Sequence, residues 1–181
     1  MRSLKLLRKP LAAAILLAVA GASQAAISVF TTQASFLAAV TAPGVDTFAD
    51  LSVTTATASP LNRTAGSYTY RAATPDSFFG AGSAANPWLS TNTAADSITF
   101  SNFAAGVSAI GGFFVGSDVN GAFTSGSLTL LATDGVGATS TQTIAGGVTS
   151  FLGFVSTTSM TSPPRMPIAC SSDPIRWWMT R

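Results

Sequence analysis

The sequence predicts an all-β fold, an antiparallel β-sandwich of jelly-roll type with one short N-terminal helix. Two observations indicate this fold. Short apolar stretches rich in Val, Ile, Phe and Thr recur along the chain, and Gly, Asn and Asp dipeptides that favour tight turns separate them. Such closely spaced turns favour sheets of neighbouring strands over β-α-β units. The clearest strands are expected at about 107–115, 127–132, 140–144 and 149–155.

The first part of the predicted domain contains its one helix. "AISVF" predicts a strand, and "TQASFLAAV" predicts a helix with Phe36, Ala39 and Val40 on one face and "APG" after its end. Further along, "GSYTYRAA" and "DSITFSNF" alternate apolar and polar residues, which is typical of half-buried strands. We expect this β-sandwich domain to span residues 26–161.

One segment, 75–92, lacks a regular pattern and predicts a long surface loop, the kind of segment in which binding sites are common. Within it, Trp88 follows Pro87 in polar surroundings, so a sugar ring could stack on the indole. The alternative is that Trp88 closes the open end of the sandwich, because large aromatic side chains are usually buried. Trp88 is therefore a candidate carbohydrate-binding residue.

Residues 1–25 have the layout of a secretory signal peptide. "MRSLKLLRKP" carries four positive charges, "LAAAILLAVA" is apolar, and "GASQA" ends in small residues that suit cleavage after Ala25 rather than Ala22. The apolar run is too short for a membrane-spanning helix. We expect signal peptidase and the export machinery to act on this chain. The mature protein should be secreted, to the periplasm or beyond, and have no membrane span.

The charge of residues 26–161 excludes a nucleic-acid partner. This part of the chain has six aspartates against two arginines, Arg63 and Arg71, so it has no basic surface for phosphates. It also has no cysteine, so no disulfide stabilises it despite the predicted export.

The residue types that are missing exclude most catalytic chemistries. The chain has no histidine and no glutamate, and both lysines lie in the predicted signal peptide. Ser–His–Asp triads, Schiff-base lysines and histidine metal sites are therefore excluded. A pair of aspartates acting as a glycosidase remains as an alternative, but the spacing of the aspartates singles out no pair. We expect a protein that is not an enzyme and needs no cofactor.

Calcium is the one metal that the sequence leaves open. "SDVNG" places Asp118, Asn120 and Gly121 as in the first part of a calcium loop, but later ligands of that loop are missing. A hairpin turn explains the same residues better, with Asp118 capping its own backbone. Asp46 or Asp50 together with Asp118 is a second way to assemble a calcium site. Asp118 and Asn120 are the candidate ligands.

Several segments together resemble a known family. They are "TTQASFLAAV", "DTFADL", "AADSITFSNFAAGVSAIGGFFVGSDVNGAFTSGSLTLLATDG" and "TSFLGFVSTTSMTS", behind a signal peptide. The chain is similar, over residues 26–161, to the secreted ectodomains of PEP-CTERM proteins, which are exosortase substrates of Gram-negative bacteria. The resemblance implies a β-sandwich in the cell envelope or extracellular matrix, with extracellular polysaccharide as a partner and no assigned activity.

Residues 162–181 differ in composition from the rest and depart from that family. They contain the one cysteine, two of the three tryptophans and four of the nine prolines, but no Pro-Glu-Pro motif. We expect a disordered tail here, in place of the final strand and membrane anchor of the family. Three interpretations stay open: an interfacial anchor built on "RWWMTR", a device that exposes Cys170, or a frameshifted end, which the change in composition favours.

The functional hypothesis is an exported, non-catalytic β-sandwich protein of the PEP-CTERM type. A carbohydrate-binding module that uses loop aromatics is the main alternative, and an aspartate-based glycosidase is the next.

Overall fold

The computed structural model describes residues 26–93, 95–162, 165–166 and 175–180. The predicted signal peptide, 1–25, lies outside the described residues. The elements in chain order are β1 (Ile27–Phe30), α1 (Gln33–Ala39), β2 (Gly44–Asp46), β3 (Thr57–Ala58), β4 (Leu61–Ala65), β5 (Tyr68–Ala73), β6 (Ser77–Ser83), β7 (Asn86–Thr91), β8 (Ile98–Ser101), β9 (Ala109–Phe114), β10 (Gly116–Ser117), β11 (Phe123–Thr124), β12 (Gly126–Asp134), β13 (Thr139–Gly146), β14 (Phe151–Ser156), β15 (Met160–Ser162), β16 (Arg165–Met166) and β17 (Ile175–Thr180).

The described residues form an all-β fold of antiparallel sheets. The largest sheet has the strand order β1-β14-β9-β17-β2, and a second has the order β16-β8-β5-β4. Three smaller sheets have the orders β13-β12-β15, β3-β6-β7 and β10-β11. The four strands predicted from 107 onwards are confirmed as β9, β12, β13 and β14.

One core joins four of these sheets. Its fully or almost fully buried side chains include Ile110 and Leu152 from the largest sheet, Phe100 from the second, Leu130 from β12 and Leu89 from β7. The alternation seen in the sequence explains this arrangement, because every second side chain of a strand points to the same face. Among the described residues, no helix has the length and hydropathy needed to cross a membrane.

The single helix is held by its first residues and by one aromatic side chain. Thr32 is its N-cap, with extended backbone, and its hydroxyl oxygen accepts a hydrogen bond of 3.2 Å from the Ser35 N–H. The predicted face is confirmed at Phe36, which is fully buried and packs against Phe151 at 5.5 Å between ring centroids. Ala39 is exposed, whereas Leu37 and Val40 are partly buried and pack against the cluster around Phe36.

The prediction of a surface loop over 75–92 is wrong. Most of this segment is the antiparallel hairpin of β6 and β7, in which Trp88 pairs with Ala81 and Pro87 with Gly82. The sequence pattern fails to predict these two strands for two reasons. Gly80 and Gly82 interrupt the apolar alternation of β6, and β7 is buried on both faces, so it has no polar side to alternate.

The described residues of the expected disordered tail are strands. β16 pairs with β8, and β17 lies between β9 and β2 in the largest sheet. "IRWWMT" is rich in residues that favour strands, and its two tryptophans lie in register with Gly112 and Gly111 of β9. Met179 is fully buried. Without this strand β9 would present an unpaired edge among the described residues.

Asp134 closes the turn between β12 and β13. Its Oδ1 accepts hydrogen bonds from the N–H groups of Val136 (3.1 Å) and Ala138 (2.9 Å), and its Oδ2 accepts one of 2.8 Å from the Ser156 hydroxyl. Burial alone would raise the pKa of Asp134. The hydrogen bonds from Ser156, Ala138 and Val136 outweigh burial and lower it.

We expect Asp134→Asn to flatten the acid dependence of stability. A carboxyl whose pKa is lowered by folding stabilises the protein above its unfolded pKa of 3.8, and this contribution is lost as the pH falls through the folded pKa. Urea unfolding between about pH 5 and pH 2 should therefore show a shallower decline in the free energy of unfolding for the variant. Asp118→Asn, which changes the same kind of turn nearer to solvent, is the control. Equal slopes for Asp134→Asn and the unmodified chain would contradict this role.

Candidate functional site

A concave feature of the described residues is a cleft beside the β6–β7 hairpin. We call it the hairpin cleft, and its volume is about 320 Å³. The turn between β10 and β11 forms one wall, and Val53 lies at the other side. Its lining residues are Val53, Phe79, Gly80, Ala81, Gly82, Ser90, Thr91, Asn92, Ser117, Asp118, Val119, Asn120 and Gly121.

Two glycines of β6 bring both walls of the hairpin cleft close to the hairpin. The Gly80 N–H donates to the Ser52 carbonyl at 2.7 Å, and the Gly82 N–H donates to the Gly121 carbonyl at 2.9 Å. A Cβ atom at Gly80 would lie 2.8 Å from the Ser52 oxygen, so a larger residue would push that wall away. Gly82 has a φ of +87°, which other residues rarely adopt. Gly80 and Gly82, which interrupt the strand pattern of β6 in the sequence, therefore allow the close contacts on both sides of the cleft.

Asp118 holds the β10–β11 turn. Its Oδ1 accepts hydrogen bonds from the N–H groups of Asn120 (2.8 Å) and Ala122 (2.9 Å), and the Gly121 N–H donates to the Asp118 carbonyl at 2.9 Å. The hairpin-turn interpretation of "SDVNG" is thus confirmed. The turn brings Asp118 and Asn120 into the lining of the hairpin cleft, next to residues of the predicted binding segment 75–92.

The oxygen ligands that the hairpin cleft offers fit calcium less well than the motif "SDVNG" suggests. Calcium takes six to eight oxygen ligands, and Asp118 is the one carboxylate among the lining residues of the hairpin cleft. The described residues contain no group of three or more Asp, Glu, His or Cys side chains that could hold a metal ion. Asp46 and Asp50 each bind Arg63, whose positive charge offsets one of their two negative charges. Calcium at Asp118 and Asn120 stays a prediction.

Trp88 is buried rather than an exposed platform, and it is not among the lining residues of the hairpin cleft. Its side chain is 6% exposed and packs against Phe123, with 5.2 Å between ring centroids and 57° between ring planes. Phe123 is 39% exposed, and it also lies against Gly82 of the cleft lining. The exposed aromatic face at this site therefore belongs to Phe123. The sequence signal for it is one large apolar residue isolated among turn-forming residues in "NGAFTSGS".

The hydrogen-bonding groups of the hairpin cleft are neutral, with the exception of Asp118. The hydroxyls of Ser90 and Ser117 share a hydrogen bond of 3.4 Å, and Thr91 donates to the Thr93 carbonyl at 2.9 Å. The Asn92 amide donates to Asp76 at 2.8 Å, which fixes its orientation. The lining contains no lysine or arginine. Such a cleft suits a neutral ligand that carries several hydroxyl groups.

A second, smaller cleft of about 220 Å³ lies over β4 and β5, and we call it the β4–β5 cleft. Its outer side is formed by Asn62 and Thr64 of β4 and by Thr69 and Arg71 of β5, with Asn102 beside them. Asn62 pairs with Arg71, and Thr64 pairs with Thr69. Among the described residues Arg71 has no ion-pair partner. This cleft therefore differs from the hairpin cleft in carrying a positive charge.

Beneath the β4–β5 cleft lies an ion network that sequence analysis missed. Arg63 binds Asp46 through Nε at 2.9 Å and Nη2 at 2.7 Å, and it binds Asp50 through Nη1 at 2.7 Å and Nη2 at 2.9 Å. Tyr70 donates to Asp46 Oδ2 at 2.8 Å, and the guanidinium lies 4.9 Å from the Phe48 ring centroid. The network fixes the segment between β2 and β3 on the second sheet.

The network also shifts the pKa values of three of its members. The hydrogen bond from Arg63 lowers the pKa of Asp50. Burial would lower the pKa of Arg63, but the hydrogen bonds to Asp46 and Asp50 outweigh it and raise that pKa above its usual range. Burial and the charge of Asp46 raise the pKa of Tyr70. Asp50 and Arg63 thus stay charged at neutral pH, and Tyr70 stays uncharged.

Compared with known proteins, the chain matches no family model, no curated protein and no solved structure.

Proposed function

We propose that this chain is an exported, non-catalytic carbohydrate-binding protein that takes a neutral glycan in the hairpin cleft. The observation that carries the proposal is the cleft itself, with neutral hydroxyl and amide groups on its walls, a glycine-lined floor and the exposed Phe123 ring at its side. Sugars present hydroxyls at the ring edge and apolar C–H groups on the ring face, which match these two kinds of surface.

The carboxylates support binding rather than cleavage. Glycosidases use two carboxyl groups on either side of the scissile bond. The lining of the hairpin cleft offers Asp118 alone, and two backbone N–H groups already bind its Oδ1. One carboxylate that is engaged in holding a turn is poorly placed to exchange protons with a substrate.

The cellular setting of the proposal rests on the sequence. The signal-peptide layout of residues 1–25 supports export, and the resemblance of 26–161 to PEP-CTERM ectodomains supports a place in the cell envelope or extracellular matrix of a Gram-negative bacterium. The shared core of the four sheets supports a sandwich of jelly-roll type as the finer architecture. Extracellular polysaccharide is then the expected source of the glycan.

We expect Asn120→Ala to weaken glycan binding about tenfold, the effect of losing one or two hydrogen bonds. Asn120 is exposed in the cleft wall and its own side chain holds no described contact of the fold, so the variant should unfold like the unmodified chain. Asn62→Ala, an exposed asparagine of the β4–β5 cleft, is the matched control. Affinities are measured by calorimetry with ligands first selected on an array of neutral and anionic glycans.

Three results would contradict the proposal. One is an array without any bound glycan, and another is a loss of affinity in Asn62→Ala with none in Asn120→Ala. The third is the release of new reducing ends from a bound polysaccharide, which would show a glycosidase instead.

A further inference from the structure

The outer edge of β13 is long, regular and open. β13 has eight residues, and among the described residues it pairs with β12 alone. All eight residues pair in one continuous register, from Thr139 opposite Thr133 to Gly146 opposite Gly126, with no bulge. Such an edge offers a row of backbone N–H and C=O groups to another strand.

The side chains of β13 do nothing to prevent pairing at this edge. Proteins usually protect exposed edges with charged residues, prolines, bulges or short strands. From Thr139 to Gly146 the sequence is "TSTQTIAG", without a charge or a proline, and Thr139, Thr141 and Thr143 are exposed. The Ser150 hydroxyl donates to the Ala145 carbonyl at 2.7 Å, but a carbonyl oxygen has a second lone pair and can still pair.

The ends of β13 carry two of the exposed large hydrophobic residues of the described chain. Val136, before the strand, is 67% exposed, and Val148, after it, is 50% exposed. Val136 lies six positions before Gln142, and Val148 lies six positions after it. If two β13 strands pair antiparallel with Gln142 at the centre, Val136 of each copy therefore lies at the same end of the pair as Val148 of the other copy.

We propose that β13 is a homodimer interface, at which two copies of this chain join their sheets edge to edge about a two-fold axis at Gln142. In this register Thr141 lies opposite Thr143 of the other copy, and Ser140 lies opposite Ile144. Thr pairs across strands form favourable hydrogen bonds, and Thr129 and Thr143 already share one of 3.0 Å within the chain. A second copy fits this edge because the edge is self-complementary in both polarity and the placement of its valines.

The register is tested by charge substitution in the full chain. Thr141→Lys combined with Thr143→Lys places like charges opposite each other and should weaken the dimer about tenfold or more. Thr141→Lys combined with Thr143→Glu places opposite charges together and should preserve or strengthen it. Ser127→Lys, which is exposed on the inner strand β12, is the control and should leave the dimer unchanged. Sedimentation velocity at about 1–200 μM covers the range expected for so small an interface.

A cysteine at the axis gives an independent test. In a Cys170→Ser background, Gln142→Cys should form a disulfide-linked dimer under mild oxidation, because the two residues at the axis face each other across the strands. Ser140→Cys, two positions away, should cross-link less. A chain that stays monomeric over the whole range overturns the proposal, and so does a dimer that responds equally to both charge pairs or cross-links equally at 140 and 142.

Discussion

Replacing Arg63 with methionine is expected to lower the free energy of unfolding by about 3–5 kcal/mol, the cost of leaving a buried charge without its partner. The side chain of Arg63 is 9% exposed and that of Asp46 is 5% exposed, so water cannot replace the lost guanidinium at Asp46. Asp46 keeps its hydrogen bonds from Tyr70 and from the Phe48 N–H, which places the expected cost toward the lower end of that range. Methionine keeps the apolar stem of the side chain, so the packing of that stem changes little.

Arg71→Met is the matched control for this substitution. Arg71 lies on the neighbouring strand and has no ion pair among the described residues, so its replacement should change stability by no more than about 0.5 kcal/mol. Urea denaturation of both variants, followed by tryptophan fluorescence, measures the difference. Equal stabilities of the two variants would show that the Asp46–Arg63–Asp50 network does not support the fold.

The second large effect is expected for Gly44→Ala, at about 3 kcal/mol of destabilisation. A Cβ atom at Gly44 would run into the carbonyl group of Ala65 and the ring of Tyr68. The carbonyl belongs to the backbone of β4 and cannot rotate away. The Tyr68 ring is fixed as well, because its hydroxyl donates to the Ala42 carbonyl at 2.9 Å. β2 would therefore have to move away from β4, and β2 is also the edge strand that covers β17.

Gly126→Ala separates this steric effect from the general effect of removing a glycine. Gly126 also lies in a strand, and a Cβ atom there would meet nothing within 4 Å. Its replacement should be neutral or stabilising by up to about 1 kcal/mol, since it restricts the unfolded chain. Thermal unfolding by circular dichroism compares the two variants, and a melting temperature of Gly44→Ala equal to that of Gly126→Ala would rule out the close approach of β2 and β4.

Two of the strands that the sequence predicts well, β12 and β13, have one face that is more exposed than the other. Most of β12 alternates buried with half-buried residues, and β13 alternates exposed with half-buried ones, so the period of two is visible in "SLTLLATDG" and "TSTQTIAGG". The β6–β7 hairpin is missed because β7 is buried on both faces and the glycines of β6 serve the approach of neighbouring loops. β17 is missed because the composition of residues 162–181 predicts a disordered tail, and its partner β9 lies more than sixty residues earlier in the chain.

The candidate site is predicted in part. Asp118 and Asn120 are found from their turn motif, and they do line the hairpin cleft. Trp88 is found as an aromatic residue of segment 75–92, but its contact with Phe123 follows from the fold and not from the spacing of residues. The partners of Arg63 could not be assigned either, because Asp46, Asp50 and Tyr70 come from three different parts of the chain.

The most direct test of the central claim, that the hairpin cleft binds a neutral glycan, is a titration of the ¹⁵N-labelled chain with oligosaccharides of a neutral extracellular polysaccharide. We expect shifts of amide signals to concentrate at residues 80–82, 90–92 and 117–121, and to saturate below about 1 mM ligand. Shifts confined to the β4–β5 cleft at 62–64 and 69–71, or no shifts at that concentration, would contradict the claim.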